Sequence, residues 1–352
     1  MFKPTYQITP KIVTVISEIA QIKTVVERSR VLPLNEAQLR RQAIVRMAHT
    51  STSIEGNPLA EYQVGKVLAG EKINADQKSI IEVKNYQKAL LEMEKLADSK
   101  SSISVEDVLV MHRILMDGLL PKEKLGHFRP GPIYIVDDLG EKGDRLRFEG
   151  PEAKKVAFLV NELLTWLTYA IKDELHPVLI AGIFHNEFVS IHPFTDGNGR
   201  MTRLLAQLIL YKLGWDFRKV IVLEDYYNRD RKSYYDALQA AHGIHYKSGA
   251  DFTSWMEYFV IGFLLEARKA AEKIELIGFG KVTEKAEQIF LDRDEISVMD
   301  FLTTTGRVTS KDVEEVLGIA KRTAQLKLKN LVDKGLLKVE GSGPSTYYII
   351  AQ

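Results

Sequence analysis

The chain has 352 residues, room for two or three domains with cores of their own, and its 45% hydrophobic and 27% charged content is that of an ordinary globular protein. A formal net charge of +1 gives no global field toward nucleic acid or a membrane surface, and the absence of cysteine excludes disulfides, thiol nucleophiles and cysteine-ligated metals. The first thirteen residues lack the apolar run of a signal peptide and the best apolar run, Tyr258 to Leu265, is too short to span a bilayer, so a cytoplasmic chain with no membrane partner is expected.

In chain order, residues 1–100 read as helices: Pro10 to Arg28, Asn35 to about Glu55, Glu61 to Leu68 and Gln77 to Ala97. The second helix ends in Ser51-Thr-Ser-Ile-Glu-Gly-Asn57, where Gly56 suits the residue just past a helix end and Pro58 forbids continuation. Glu55 then stands in the last turn, where the helix dipole disfavours a carboxylate by roughly 0.3–1 kcal/mol. An acid there needs a cation from elsewhere in the fold.

Ser104 to Met116 has helical period, with a serine cap and an acid three residues on. From Gly126 to Phe148 apolar residues alternate around a polar, glycine-bearing turn, which predicts a β-hairpin with Ile133, Tyr134, Ile135 and Val136 in its first arm. Pro151 to Thr168, with Trp166, is the next helix. Pro177 to Ser190 reads as a buried helix, and His185 within it as a core or supporting group.

The stretch Ile191-His-Pro-Phe-Thr-Asp-Gly-Asn-Gly-Arg-Met-Thr-Arg203 concentrates the chemistry. His192 precedes Pro193, whose ring disfavours α geometry before it, so the imidazole is expected just past a helix end. Gly197 and Gly199 flank Asn198 and allow successive N–H groups to converge on one anion. The helix that follows, Arg200 to Leu210, adds its free N–H groups and positive dipole end. Arg200 and Arg203 share a helix face and suit successive phosphates. Asp196 repels a phosphate unless a divalent ion bridges them, which points to Mg²⁺.

This segment resembles the signature of the Fic (fido) family, H-x-F-x-(D or E)-G-N-G-R-x-x-R, met at every fixed position by His192, Phe194, Asp196, Gly197, Asn198, Gly199, Arg200 and Arg203. The resemblance implies an all-α Fic fold, a helical bundle with a β-hairpin flap, and transfer of AMP from ATP to a Ser, Thr or Tyr hydroxyl of a target protein. By it His192 would deprotonate the hydroxyl and Asp196 would hold Mg²⁺. Asn198 and the glycine amides would hold the α-phosphate region, Arg200 and Arg203 the β- and γ-phosphates, and Phe194 would anchor the loop in the core. The acid and terminal arginine fit nucleotidyl transfer better than the lysine-bearing variant of the kinase-like Doc branch. Ser51, Glu55 and Gly56 resemble the family's inhibitory motif, (S or T)-x-x-x-E-(G or N), which implies that Glu55 pairs with Arg203 and blocks the γ-phosphate. Gly126, Phe128 and Arg129 also have the family's spacing, and the hairpin stands at its flap, whose edge can hold a target segment by strand addition.

Downstream, Arg231 to Leu238 resembles the helix whose paired tyrosines form the nucleotide pocket, which nominates Tyr234 and Tyr235, while His242 stands where the family has an asparagine. Trp255 to Leu265 closes the expected catalytic domain, 101–270, and a charged helical connector runs from Glu266 to about Lys285. The helices Ile296 to Leu302, Ser310 to Leu317 and Ala320 to Lys334, with strands Leu336 to Val339 and Tyr347 to Ile350 around Gly341-Ser-Gly-Pro344, predict a C-terminal winged helix-turn-helix over 286–352. Its third helix carries Lys321, Arg322, Lys327 and Lys329 with no acid before Asp333, as DNA contact needs, and docking or dimerisation is the alternative use. The whole reads as an autoinhibited protein adenylyltransferase, a homodimer by analogy. Removal of AMP with Glu55 activating water, or a DNA-binding regulator whose Fic domain senses nucleotide, are the other readings.

Overall fold

The computed structural model describes residues 2–138, 144–278 and 291–351. Its order is α1 (Pro10–Arg28), α2 (Pro33–Ile54), α3 (Glu61–Leu68), α4 (Gln77–Asp98), α5 (Val105–Met116), a hairpin of β1 (Tyr134–Asp138) and β2 (Asp144–Glu149), then α6 (Ala153–Lys172), α7 (Pro177–Ile191), α8 (Asn198–Lys212), α9 (Leu223–Arg229), α10 (Arg231–His242) and α11 (Thr253–Gly278). A second group follows: α12 (Arg293–Thr305), α13 (Ser310–Leu317), α14 (Lys321–Asp333), β3 (Leu337–Glu340) and β4 (Tyr347–Ile350). Among the described residues no helix is long and apolar enough to cross a membrane.

The caps explain several starts. Thr9 accepts from Ile12 N with Pro10 at the first helical position, Asp76 accepts from Ser79 N, and Ser104 with Asp107 forms a reciprocal capping box, each satisfying N–H groups that a helix start leaves free. Every residue of α7 except Pro177 and Val189 is buried, because α6, α8 and α11 surround a helix that is apolar on all sides. Phe184, Phe188, Phe194, Trp255, Phe259 and Phe263 fill the space between them with no exposed surface. This rigid pair, α7 and α8, carries the loop with the signature.

A second core gathers Val298, Met299, Leu302, Val308, Leu328, Leu331 and Leu336 from the C-terminal group. Ala37 of α2 belongs to it, whereas Met47, Ala48 and Ile54 further along the same helix belong to the larger core. Arg41 is half-buried at the junction, with Nη1 donating to Thr304 O at 3.0 Å and to Thr303 O at 3.5 Å, on the last carbonyls of α12. Burial without a carboxylate partner draws this guanidinium down to about 10.

The connector expected from Glu266 is helical as far as it is described: α11 continues unbroken to Gly278, where Ala267, Ala270 and Ile274 keep an apolar stripe buried with α1 packed alongside. The rest of that connector and the start of the C-terminal module, 279–290, and the expected hairpin turn, 139–143, lie outside the described residues. Helix α9 and the short 3-10 turn Phe217–Lys219 were not expected from the sequence.

Candidate active site

His192 ends α7 in the left-handed region, at φ 50°, with its N–H closing the last turn on Phe188 O at 3.1 Å. Its ring Nδ1 lies 3.0 Å from Val189 O, and a carbonyl can only accept, so Nδ1 carries the proton and Nε2 is the free acceptor. Burial pushes this imidazole down to about 4, which keeps it neutral at pH 7. The backbone around it is stapled by Arg129, itself 4% exposed, which donates to His192 O at 2.8 Å, Gly131 O at 2.6 Å and Pro151 O at 2.5 Å. Spacing alone brought Arg129 to notice; its work on the loop was not visible in the sequence.

The turn after His192 is held from below. Phe194 stacks on His112 with ring centroids 3.7 Å apart and planes 6° apart, and His112 donates from Nε2 to Asp196 O at 3.1 Å while Nδ1 accepts from Gly126 N at 3.0 Å. His112 was not singled out from the sequence, where it is one polar residue in an apolar helix. Asn198 accepts from Phe194 N at 2.8 Å and donates to Phe194 O at 2.9 Å, so its side chain is committed to the loop and only its backbone N–H remains for a phosphate. Gly197 takes φ 82°, but Gly199 lies in the first turn of α8 and needs no special backbone. It is glycine for room: a Cβ there would overlap the Glu55 carboxylate.

Both signature arginines are buried and paired. Arg203, with a side chain 2% exposed, donates from Nε to Ser51 Oγ at 2.9 Å and from Nη2 to Ser51 O at 2.9 Å and to Glu55 Oε1 at 2.7 Å. Burial works against its charge, and Glu55 together with Tyr234 and Tyr86 more than offsets that. Gly56, at φ 96°, turns the chain away immediately after Glu55. Arg200 pairs through Nη1 with Glu82 of α4 and through Nη2 with Asp196 at 3.4 Å. Glu82 is raised by burial against the opposing pull of Arg200. Nothing in the sequence pointed to it.

Asp196 accepts from Gly197 N at 2.6 Å through Oδ1 and keeps a 55% exposed side chain whose Oδ2 has no partner among the described residues. Among the described residues no three His, Asp or Glu side chains converge as a metal cage. A hard divalent ion can be held by one carboxylate with phosphate and water completing its shell, and Asp196 offers that one.

A cavity of about 390 Å³ opens between β1, the His192 loop and α10, the size of a small-ligand site. Glu55, His192, Gly199, Arg203, Tyr234 and Tyr235 line it. Of the flap residues Ile135 and Val136 line it, whereas Ile133 and Tyr134 do not. Asp196, Asn198 and Arg200 lie off its lining. The two tyrosines differ: Tyr234 is 1% exposed, bonded to His185 Nε2 at 2.9 Å and stacked on Tyr227, while Tyr235 is half-buried beneath the Arg147 guanidinium at 5.7 Å. His242 is fully buried against Glu187 at 3.3 Å and does not reach the cavity. Strand β1 pairs only with β2 among the described residues, in an antiparallel register that slips between Ile135 and Val136, so its outer edge is unpaired.

Comparison with known proteins agrees with this geometry. Residues 102–210 match the Fic/DOC family. A protein adenylyltransferase Fic from Nematostella vectensis is 31% identical over 217 residues, 60% of this chain and 46% of that protein, so the chain spans less than half the length of this relative. The crystal structure of a Fic family protein from Desulfovibrio desulfuricans, 28% identical, superimposes with a TM-score of 0.64 over 99% of this chain and 98% of its own. A Fic domain containing signaling protein from Bacteroides thetaiotaomicron, 21% identical, shares the fold with a TM-score of 0.63 over 74% of this chain. A helical bundle with a two-stranded flap, a histidine set for proton acceptance and a family match centred on both mark residues 102–210 as a domain of the Fic/DOC family.

Proposed function

We propose that the protein transfers AMP from ATP to a hydroxyl of a target protein and that Glu55 restrains this activity. The observation that carries the reading is His192: a neutral imidazole, fixed by its Nδ1 contact, with Nε2 bare beside a phosphate-sized turn. A target Ser, Thr or Tyr laid along the β1 edge would lose its proton to Nε2 as its oxygen attacks the α-phosphorus, and pyrophosphate would leave. The N-terminal amides of α8 would bind phosphate oxygens, with Arg203, once freed of Glu55, on the γ-phosphate. Mg²⁺, held by Asp196, would neutralise phosphate charge.

The test is incubation with ATP labelled on the α-phosphate. Glu55→Gly is expected to raise self-labelling and His192→Ala to abolish it; equal labelling in all forms would remove the assignment. Because Glu55 and His192 line one cavity, hydrolytic removal of AMP is the second reading, favoured if release of AMP from a modified target needs both residues.

Residues 291–351 have the element order of a winged helix. Lys321, Arg322 and Lys329 on α14 are exposed and have no partner among the described residues, whereas Lys327 is tied to Asp292 at 2.6 Å and Asp294 at 3.1 Å, which sets it apart from the expected DNA-facing residues. The reading of this module as DNA-binding predicts a salt-dependent shift of a duplex probe that is lost on Lys321→Ala with Arg322→Ala and kept on Lys327→Ala. A cytoplasmic homodimer completes the proposal, and light scattering tests the dimer.

A further inference from the structure

The structure assigns to Glu82 a positioning role that the signature does not include, and the assignment rests on the nucleotide reading above. Glu82 divides its carboxylate: Oε1 accepts from Arg200, and Oε2 accepts from Asn57 Nδ2 at 2.8 Å. Asn57 stands two residues after Glu55 and is 7% exposed. Its amide also donates to Ser79 O at 3.1 Å, its Oδ1 accepts from Leu59 N at 3.1 Å, and its backbone N–H returns to Thr52 O at 3.0 Å. The turn that presents Glu55 to Arg203 is therefore seated on the same carboxylate that holds the other signature arginine.

Arg200 is not saturated by these contacts. Its side chain is 5% exposed and its Nε is buried with no partner, although Nη1 and Nη2 are engaged. A buried guanidinium N–H without an acceptor is an unused donor, and under the nucleotide reading it is left for a phosphate oxygen once the loop admits one. Glu82 occupies Nη1 and leaves Nε open, so Glu82 orients Arg200 without taking the donor that a phosphate would use. Glu55 competes, because its oxygen sits on the Arg203 nitrogen that a phosphate needs. We propose that Glu82 joins two events: it aims Arg200 at the nucleotide, and through Asn57 it holds the inhibitory turn in its blocking position.

Two variants separate these roles. Asn57→Ala removes the tether and leaves the Glu82–Arg200 pair. Glu82→Gln keeps the shape but has one acceptor oxygen, so it cannot serve both Arg200 and Asn57. ATP affinity is read by calorimetry, and the turn is read by amide hydrogen exchange at residues 55–57. Asn57→Ala should speed that exchange and tighten ATP binding about tenfold in the otherwise native chain, with no effect once Glu55 is already Gly. Glu82→Gln should weaken ATP binding about tenfold in the Glu55→Gly background, with saturable binding retained although the lost buried pair with Arg200 lowers melting when ATP is absent. An Asn57→Ala effect of equal size with and without Glu55, or native ATP affinity in the Glu82→Gln double variant, overturns the proposal. Should Glu82→Gln fail to fold, the Asn57 comparison alone decides. If the Glu55→Gly chain binds ATP but transfers no AMP, the reaction assignment fails while these readouts still judge Glu82.

Discussion

Replacing Glu55 with Gly should raise affinity for ATP and leave affinity for AMP where it was. The carboxylate meets Arg203 Nη2 at 2.7 Å, and the guanidinium it occupies is 2% exposed. A hydrogen bond between ionised partners is worth about 1.5–3 kcal/mol net. A ligand that must displace that bond regains the same amount when it is absent, a gain of roughly 13- to 160-fold in affinity. Glu55→Gln keeps a neutral acceptor, worth about 0.5–1.5 kcal/mol, and should recover only part of the gain. AMP has no γ-phosphate to place on Arg203 and serves as the control. Calorimetric titration in the His192→Ala background avoids turnover. The unliganded Glu55→Gly protein should also melt earlier, since Arg203 is left with the neutral partners Ser51 and Tyr234. Breaking one side of a buried ion pair costs about 3–5 kcal/mol, and the 28% exposure of Glu55 together with the surviving Ser51 bonds brings this to about 2 kcal/mol. Equal gains for ATP and AMP, or no gain for ATP, would refute the idea that Glu55 holds the far end of the triphosphate site.

Arg129→Met should cost about 2–4 kcal/mol in urea denaturation, because the buried carbonyl of Pro151 and the partly buried ones of His192 and Gly131 lose their donor. AMP transfer should fall further than ATP affinity, since the loosened backbone carries the base. His112, His185 and His192 are held below their ordinary range by burial, His112 and His192 at about 4, so the unfolded chain takes up protons below pH 6.5 that the folded chain refuses until about pH 4. Stability should therefore be fully present above pH 6.5 and fall with acidity by up to about 1.4 kcal/mol per pH unit for each histidine; a urea midpoint that stays constant from pH 7 to 4.5 would count against it. Arg41→Ala should cost about 2 kcal/mol and speed hydrogen exchange in α12, whose final carbonyls lose their cap.

What the sequence disclosed and what it hid divide along physical lines. Helix existence was legible wherever apolar period and caps agreed, as at Ser104 with Asp107 or Thr9 with Pro10. The signature was legible because its parts are neighbours in the chain; an acid at a helix end showed that Glu55 needs some cation, and only the resemblance of Ser51, Glu55 and Gly56 to the family's inhibitory motif named Arg203 as that cation. Glu82 gave no such sign. It lies mid-helix among ordinary charged residues and meets Arg200 from 118 positions away, so only the packing of α4 on α8 makes it part of the site. The run from Glu266 was legible as a charged helix, but Glu266, Arg268 and Lys269 interleave with Ala267, Ala270 and Ile274, and only the packing of α11 on α1 shows those three buried.

The turn before α9 shows the strongest override. Phe217, Arg218 and Lys219 all take positive φ, a conformation that no local rule assigns to three successive side chains of this size. Arg218 explains it: its guanidinium donates to Val26 O at 2.9 Å, Glu27 O at 3.0 Å and Ser29 O at 2.8 Å, capping α1, and reaches Glu36 of α2 at 2.8 Å. Arg40 of α2 in turn bonds Arg218 O at 3.0 Å and pairs with Asp300 of α12. The backbone strain at 217–219 is thus borne by contacts that tie α1, α2 and the C-terminal group together. The helix that ends in Glu55 is therefore anchored at its far end by three separate parts of the chain, and any release of Arg203 by movement of α2 must also work against those anchors.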